Sequence, residues 1–326
     1  AEEVLADLKR PPASLSERNQ SWSAPQPVDQ EHDEQHALDR VYNSLNDSGL
    51  VFNRRTINAF HTSLKTATIS PMTVLAGISG TGKSQLPRRY ADAMGIHFLK
   101  IPVQPRWDSP QDLLGFYNYI ENRYKATELA RALVHLDEHN WEELAANYKD
   151  RMVMVLLDEM NLARVEYYFA EFLSRLEGRP SDAGAFDDTA RQPAEIEIDV
   201  STQEGKSYRV YPGQNVLFCG TMNEDESTLT LSDKVLDRAN VLRFPRPGEL
   251  RDTPPADSAS GAHAKGYLPK SKWLGSWMRN PDDLQQTARK NAKQTIDEIN
   301  NVMAELDRPF GQIGRASCRE RVYCEV

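Results

Sequence analysis

The residues Gly77-Ile78-Ser79-Gly80-Thr81-Gly82-Lys83-Ser84 follow the spacing G-x-x-x-x-G-K-[ST]. Glycines so placed let a backbone curl until its N–H groups converge on phosphate oxygens. A helix that starts there adds the partial positive charge of its N-terminus. In such a loop Gly77, Gly80, Thr81 and Gly82 shape the cradle, Lys83 reaches the β- and γ-phosphates, and the Ser84 hydroxyl ligates Mg²⁺. The plainer alternative is a Gly-Ser-Thr turn between a strand and a helix. The apolar run Met72–Ala76 before the loop and the helical pattern after it favour phosphate chemistry. Pro87 falls in the first turns of that helix, removes a backbone donor there and is a place for a local kink.

A second group is Asp158-Glu159, at the end of the apolar run Val153–Leu157. In an open parallel sheet, the C-terminal edge of the strands is where ligands bind. There Asp158 would hold Mg²⁺ through water, and Glu159 would orient and polarise an attacking water. An ordinary glutamate is a weak base at neutral pH, so orientation is its expected contribution. The alternative is a strand that merely ends in a charged turn. A third candidate is Asn223, just past the apolar run Val216–Cys219, where its amide could face the γ-phosphate and the water. Asparagine after a strand is more often turn chemistry. The fourth is Arg238, just before Val241–Phe244; a lone arginine is usually a surface ion pair.

The elements that must position these groups can be read from hydrophobic period. Met72–Ala76, Ile96–Val103, Met152–Leu157, Val216–Cys219 and Val241–Phe244 read as five strands. Helices are expected near His36, over Arg55–Lys65, Glu128–Leu136 and Trp141–Tyr148, and along the stripe Leu162, Val165, Phe169, Phe172, Leu173, Leu176. Glu195–Val200 and Ser207–Val210 flank Glu204-Gly205 as a hairpin. Strands alternating with helices predict a three-layer α/β domain around a mostly parallel five-stranded sheet. Asn280-Pro281-Asp282-Asp283 is a helix start, and apolar residues from Leu284 to Leu306 continue one face. This reads as the beginning of a small helical lid.

Composition excludes several classes. The 326 residues carry a formal charge of −9, with 39% hydrophobic and 27% charged, as expected of a soluble globular protein. The longest apolar run, Met152–Leu157, falls far short of the about 20 residues that a membrane helix needs. No secretory signal is visible in the first thirty residues. The acidic balance argues against a dedicated nucleic-acid surface in this piece. Cys219, Cys318 and Cys324 fit neither a zinc site nor a disulfide framework, which points to a reducing, cytoplasmic setting.

The order and identity of the pieces resemble AAA+ ATPases, and in particular the dynein-related branch that includes the MoxR and McrB-like motors. The resemblance covers residues 50–312 and is carried by LAGISGTGKSQL, WDSPQDLLGFYNY, VLLDEMNLARVEYYFAEFLSRLE, and CGTMNEDE with LSDKVLDRANVLRF. The run Asp158–Arg164 and the end Gly220-Thr221-Met222-Asn223 are its most particular parts. The resemblance implies ATP binding and Mg²⁺-dependent hydrolysis by a motor module that remodels or translocates a partner or nucleic acid. It places Asn223 at the sensor-1 position. It makes Arg238 an arginine finger that reaches the next subunit's nucleotide in a homo-oligomeric ring, typically hexameric. Fingers supplied in trans are worth about 10³–10⁵ in turnover.

Two other functions remain open at this point. One is a McrB-like GTPase motor that acts with a nuclease partner on modified DNA. McrB carries an Asn-Thr-Ala-Asp run linked to guanine choice, whereas this chain has Asn223-Glu224-Asp225-Glu226, which weakens that reading. Such chains also often pair arginines before the fifth strand, whereas here Arg243 follows Arg238 only after an interval. The other is a non-hydrolysing, nucleotide-gated scaffold, against which intact Glu159 and Asn223 argue. Trp107, Phe116, Tyr117 and Tyr119 could contact a polymer or partner, but aromatics at this density are more often core or interface.

The domain reading has four parts: 1–35, a polar linker or the end of an upstream domain; 36–247, the NTPase core; 248–312, a loop and a truncated lid; and 313–326, a tail. Ile313–Val322 (IGRASCRERV) back-translates to a sequence resembling a common sequencing-library adapter. On that reading the tail has no biological function and the natural chain continues past Gln312. The opening Ala1 likewise suggests a start further upstream. Arg308-Pro309-Phe310-Gly311 resembles the run before a sensor-2 arginine, which the tail would have replaced.

Overall fold

The structure, a computed structural model, describes residues 4–16, 22, 24–25, 33–140, 144, 148–180, 187–198, 208–224, 229–244, 264–278 and 286–305. The tail, the Arg308–Gly311 run, the Asn280-Pro281 helix start and most of Trp141–Tyr148 lie outside them.

The predicted five strands form one parallel sheet. They are β1 (Met72–Gly77), β2 (His97–Pro102), β5 (Val153–Asp158), β8 (Val216–Asn223) and β9 (Ala239–Phe244), in spatial order β2-β5-β8-β1-β9. Two short antiparallel hairpins accompany it: β3 (Gly115–Asn118) with β4 (Arg123–Ala126), and β6 (Ile196–Ile198) with β7 (Tyr208–Val210). The second hairpin is the predicted one. The first was not, since four-residue strands carry too little alternation to read.

Both faces of the sheet are covered, which is why its central strands are continuous apolar runs. Val153, Val155 and Leu157 of β5 enter one core cluster, and Met154 and Leu156 enter the other. On the second face lie α1 (Asp33–Asp47), α2 (Arg54–Lys65) and α3 (Gln85–Met94), through Val41, Phe60 and Tyr90 among others. On the first face lie α5 (Glu128–Leu136), after the short α4 (Gln111–Leu114), and α7 (Ala170–Glu177), after the short α6 (Val165–Tyr168). The chain is thus a three-layer α/β P-loop fold, as predicted.

The amino-terminal residues differ from a polar linker where they are described. Leu8 and Leu15 are fully buried in the first core cluster. Asp7 accepts from Ala126 N at 2.9 Å and pairs with Arg131 at 2.9 Å. Trp22 is buried, its indole donating to Ala264 O at 3.1 Å. A few apolar side chains among many polar ones are enough to dock a segment whose average composition reads as linker.

Past the core, α8 (Lys270–Lys272) leads to buried Trp273 and Trp277, which join the second cluster. The last described helix, α9 (Gln286–Glu305), buries Ile296 and leaves Ile299 and Val302 exposed, so its predicted apolar face is only partly covered. No described helix is long and apolar enough to cross a membrane.

Candidate active site

The register of the sheet brings the phosphate-loop candidate, the acid pair and Asn223 to one edge. Gly77 of β1 pairs with Asn223 of β8, and Leu157 of β5 pairs with Gly220 of β8, one residue before Asp158. The phosphate-loop candidate therefore leaves β1 beside the ends of β8 and β5.

The loop has the backbone its glycines anticipate. Gly80 and Gly82 take left-handed φ values of +81° and +84°, which side chains with a Cβ rarely adopt. Gly77 turns at φ +152°, and a Cβ there would meet the Phe244 carbonyl at 2.7 Å. Lys83 is buried, and its Nζ donates to Gly77 O at 2.9 Å and Ile78 O at 2.5 Å. The Thr81 hydroxyl donates to Ile78 O at 3.0 Å, closing the turn. The helix α3 begins at Gln85, so Pro87 lies in its first turn, where backbone donors have no intrahelical partner in any case.

Ser84 and Asp158 meet directly, Ser84 Oγ donating to Asp158 Oδ1 at 2.6 Å. Thr221 Oγ1 donates to the same oxygen at 2.9 Å and accepts from Glu159 N at 2.9 Å. On the other oxygen, Lys100 Nζ lies 2.6 Å from Asp158 Oδ2. Burial pushes the Asp158 carboxyl up, but the bonds from Lys100, Ser84 and Thr221 and the Lys100 charge outweigh it and hold the group below its ordinary value.

Glu159 has a left-handed backbone, φ 55° and ψ 47°, and caps the 3₁₀ turn Met160–Leu162. That conformation costs about 1–2 kcal/mol for a residue with a Cβ. It turns the chain sharply where the strand ends, and Asn223 Nδ2 donates to Glu159 Oε1 at 3.3 Å. Asn161, two residues on and buried, bonds the Asn223 backbone.

Arg238 is not brought to this edge. It precedes β9, whose first residue Ala239 pairs with Met72 at the opposite end of β1, and its Nε lies 3.1 Å from Glu177 Oε1. Arg243 is the arginine near the loop end of the sheet: it pairs with Ala76 in register, and its Nε lies 3.3 Å from Glu224 Oε1. Of the aromatics noted in the sequence, Trp107 packs edge-on against Tyr168 at 5.3 Å, while Phe116 and Tyr119 are exposed on the β3–β4 hairpin.

Sequence reasoning missed Lys100, Thr221 and the role of Asn161. Lys100 interrupts the apolar run HFLKIP, a signal that reads equally well as an exposed edge position.

The donor set suits Mg²⁺. A hydroxyl and a carboxylate, both hard oxygens, converge at Ser84 and Asp158. Among the described residues no cluster of three or more His, Cys, Asp or Glu could hold an ion unaided. With two oxygens supplied by Ser84 and Asp158, an octahedral ion would fill its remaining positions with water and phosphate oxygens.

Fold and site together define a P-loop protein with its acid pair at the C-terminal edge of the sheet. No known protein family matches the sequence, and no curated protein does. Among solved structures, the chain is similar to a candidate ATPase from Cytophaga hutchinsonii, at 15% identity over 88% of this chain and 79% of that one, with a TM-score of 0.44. It is similar also to a full-length MCM homolog from Methanopyrus kandleri, at 12% identity over 91% of this chain and 58% of that one, with a TM-score of 0.44. At these values the likeness carries no argument about function, which rests on the geometry above.

Proposed function

We propose that the chain binds ATP and hydrolyses it in a Mg²⁺-dependent reaction, as an AAA+ module of a cytoplasmic homo-oligomeric ring whose turnover drives movement of a partner or nucleic acid. The observation that carries this reading is the meeting of two pairs beside the phosphate loop: Ser84 with Asp158, and Glu159 with Asn223. The first pair suits metal binding and the second suits positioning a water. The left-handed turn at Glu159 sets the acid at the strand end, beside Asn223.

Transfer of a phosphoryl group to water needs placed charges more than covalent chemistry. The loop N–H groups and Lys83 would cradle the phosphates. Bound at Ser84 and Asp158, Mg²⁺ would supply neutralisation of phosphate charge. Glu159 and Asn223 would orient the water that attacks the terminal phosphorus, with the bond to the β-phosphate oxygen breaking. Arg238 would complete the site of a neighbouring subunit.

The test is the melting temperature of the full chain with Mg²⁺ and slowly hydrolysed ATP or GTP analogues, with Lys83→Ala as control. Ligand at a hundredfold excess over its dissociation constant stabilises by about 2.7 kcal/mol. A shift with the ATP analogue that Lys83→Ala abolishes is the expected result. A shift with GTP alone would replace the reading by the GTPase motor. No shift with either, in a folded sample, would overturn it.

A further inference from the structure

Asn223 ends β8, and its backbone is held from both sides. On one side it pairs in register with Gly77 of β1. On the other, the β5 ladder stops at Leu157 opposite Gly220, so no strand residue faces Asn223 there. The side chain of Asn161 takes that place. Its Nδ2 donates to Asn223 O at 2.8 Å, and its Oδ1 accepts from Asn223 N at 3.3 Å. The same Nδ2 donates to Leu229 O at 3.2 Å, and Leu229 N donates to Asn161 O at 3.4 Å. Asn161 is 1% exposed, so water does not compete for these bonds.

We infer that Asn161 is a positioning residue for hydrolysis: it clamps the Asn223 backbone so that the Asn223 amide stays on Glu159. This deepens the hydrolytic reading and rests on it. The clamp and the acid leave the same turn, two residues apart, so the placing of Glu159 and of Asn223 is set by one short piece of chain. Only a primary amide supplies both the donors and the acceptor this place demands. A carboxylate would still accept from Asn223 N but would face two carbonyl oxygens; an apolar residue would remove all three bonds.

The experiment is steady-state hydrolysis by the full chain as wild type, Asn161→Ala, Asn161→Asp, Asn223→Ala and the double variant Asn161→Ala/Asn223→Ala. Expected is a kcat lowered by about tenfold or more in both Asn161 variants, with KM nearly unchanged, because substrate binding is not touched. In the double variant the Asn161 change should add nothing to the loss from Asn223→Ala, the signature of one residue acting through another. Asn161→Asp keeps the size of the side chain, so it reads the clamp even if Asn161→Ala folds poorly. Two results would overturn the inference: an unchanged kcat in folded Asn161→Asp, or losses that multiply in the double variant. A wild-type chain that binds nucleotide but never turns over would instead remove the hydrolytic reading beneath it.

Discussion

Lys100 Nζ lies 2.6 Å from Asp158 Oδ2, across the β2–β5 pair, on the carboxylate that also accepts from Ser84. An ammonium and a divalent ion thus have a claim on one acid. Lys100 is half exposed, so its pair with Asp158 is worth at most about 1 kcal/mol. Replacing Lys100 with Met should therefore lower the Mg²⁺ concentration needed for half the nucleotide-induced rise in melting temperature, by up to about fivefold. A rise in that concentration would refute the competition. The pH dependence has a fixed sign. The Asp158 carboxyl is held below its ordinary 3.8, so the stabilisation is present above that value and is lost as pH falls through the lowered one. The stability gap between wild type and Lys100→Met should accordingly be open at neutral pH and close in acid below about 4.

Glu159 separates function from stability. Glu159→Gln should keep nucleotide binding and lose turnover by about a hundredfold or more. Glu159→Gly should lose turnover as far, yet melt higher than the Gln variant, because glycine removes the cost of the left-handed φ of 55°. Set against glycine's own entropic penalty, the gain is about 0.5–1 kcal/mol, or about 1–3 °C in melting temperature. Equal melting of the two variants would show that the turn carries no strain. Unchanged turnover in Glu159→Gln would end the role given to the acid.

Apart from Arg238, the residues that sequence reasoning singled out share one property: each ends an apolar strand or lies in the loop after one. Gly77, Asp158 and Asn223 are the last residues of β1, β5 and β8. An apolar run announces the strand, and its first polar residue announces the edge. Residues that reach the site from elsewhere leave no such mark. Thr221 lies inside β8, where a threonine is an ordinary strand residue. Lys100 acts across a strand pairing that no local pattern reveals. Asn161 stands in a recognisable run, yet its partners lie 62 and 68 residues away. Leu8 and Leu15 were hidden by the polar composition around them, although both are fully buried.

Arg238 is the residue whose placement makes the strongest claim about assembly. It sits before the first residue of β9, opposite the start of β1, whereas the phosphate loop leaves the other end of β1. A six-residue strand spans about 17–20 Å, so Arg238 is out of reach of its own loop. If it completes a site, that site belongs to a neighbour. Arg238→Ala should then bind nucleotide as wild type does and lose turnover. Breaking its partly exposed pair with Glu177 should cost little stability. Mixing Arg238→Ala with Glu159→Gln, each inactive alone, should restore activity, because a subunit with Glu159 can sit beside one with Arg238. In a randomly mixed ring about a quarter of the sites would be complete. Wild-type turnover in Arg238→Ala would remove the finger role. So would a mixed sample that assembles and stays inactive.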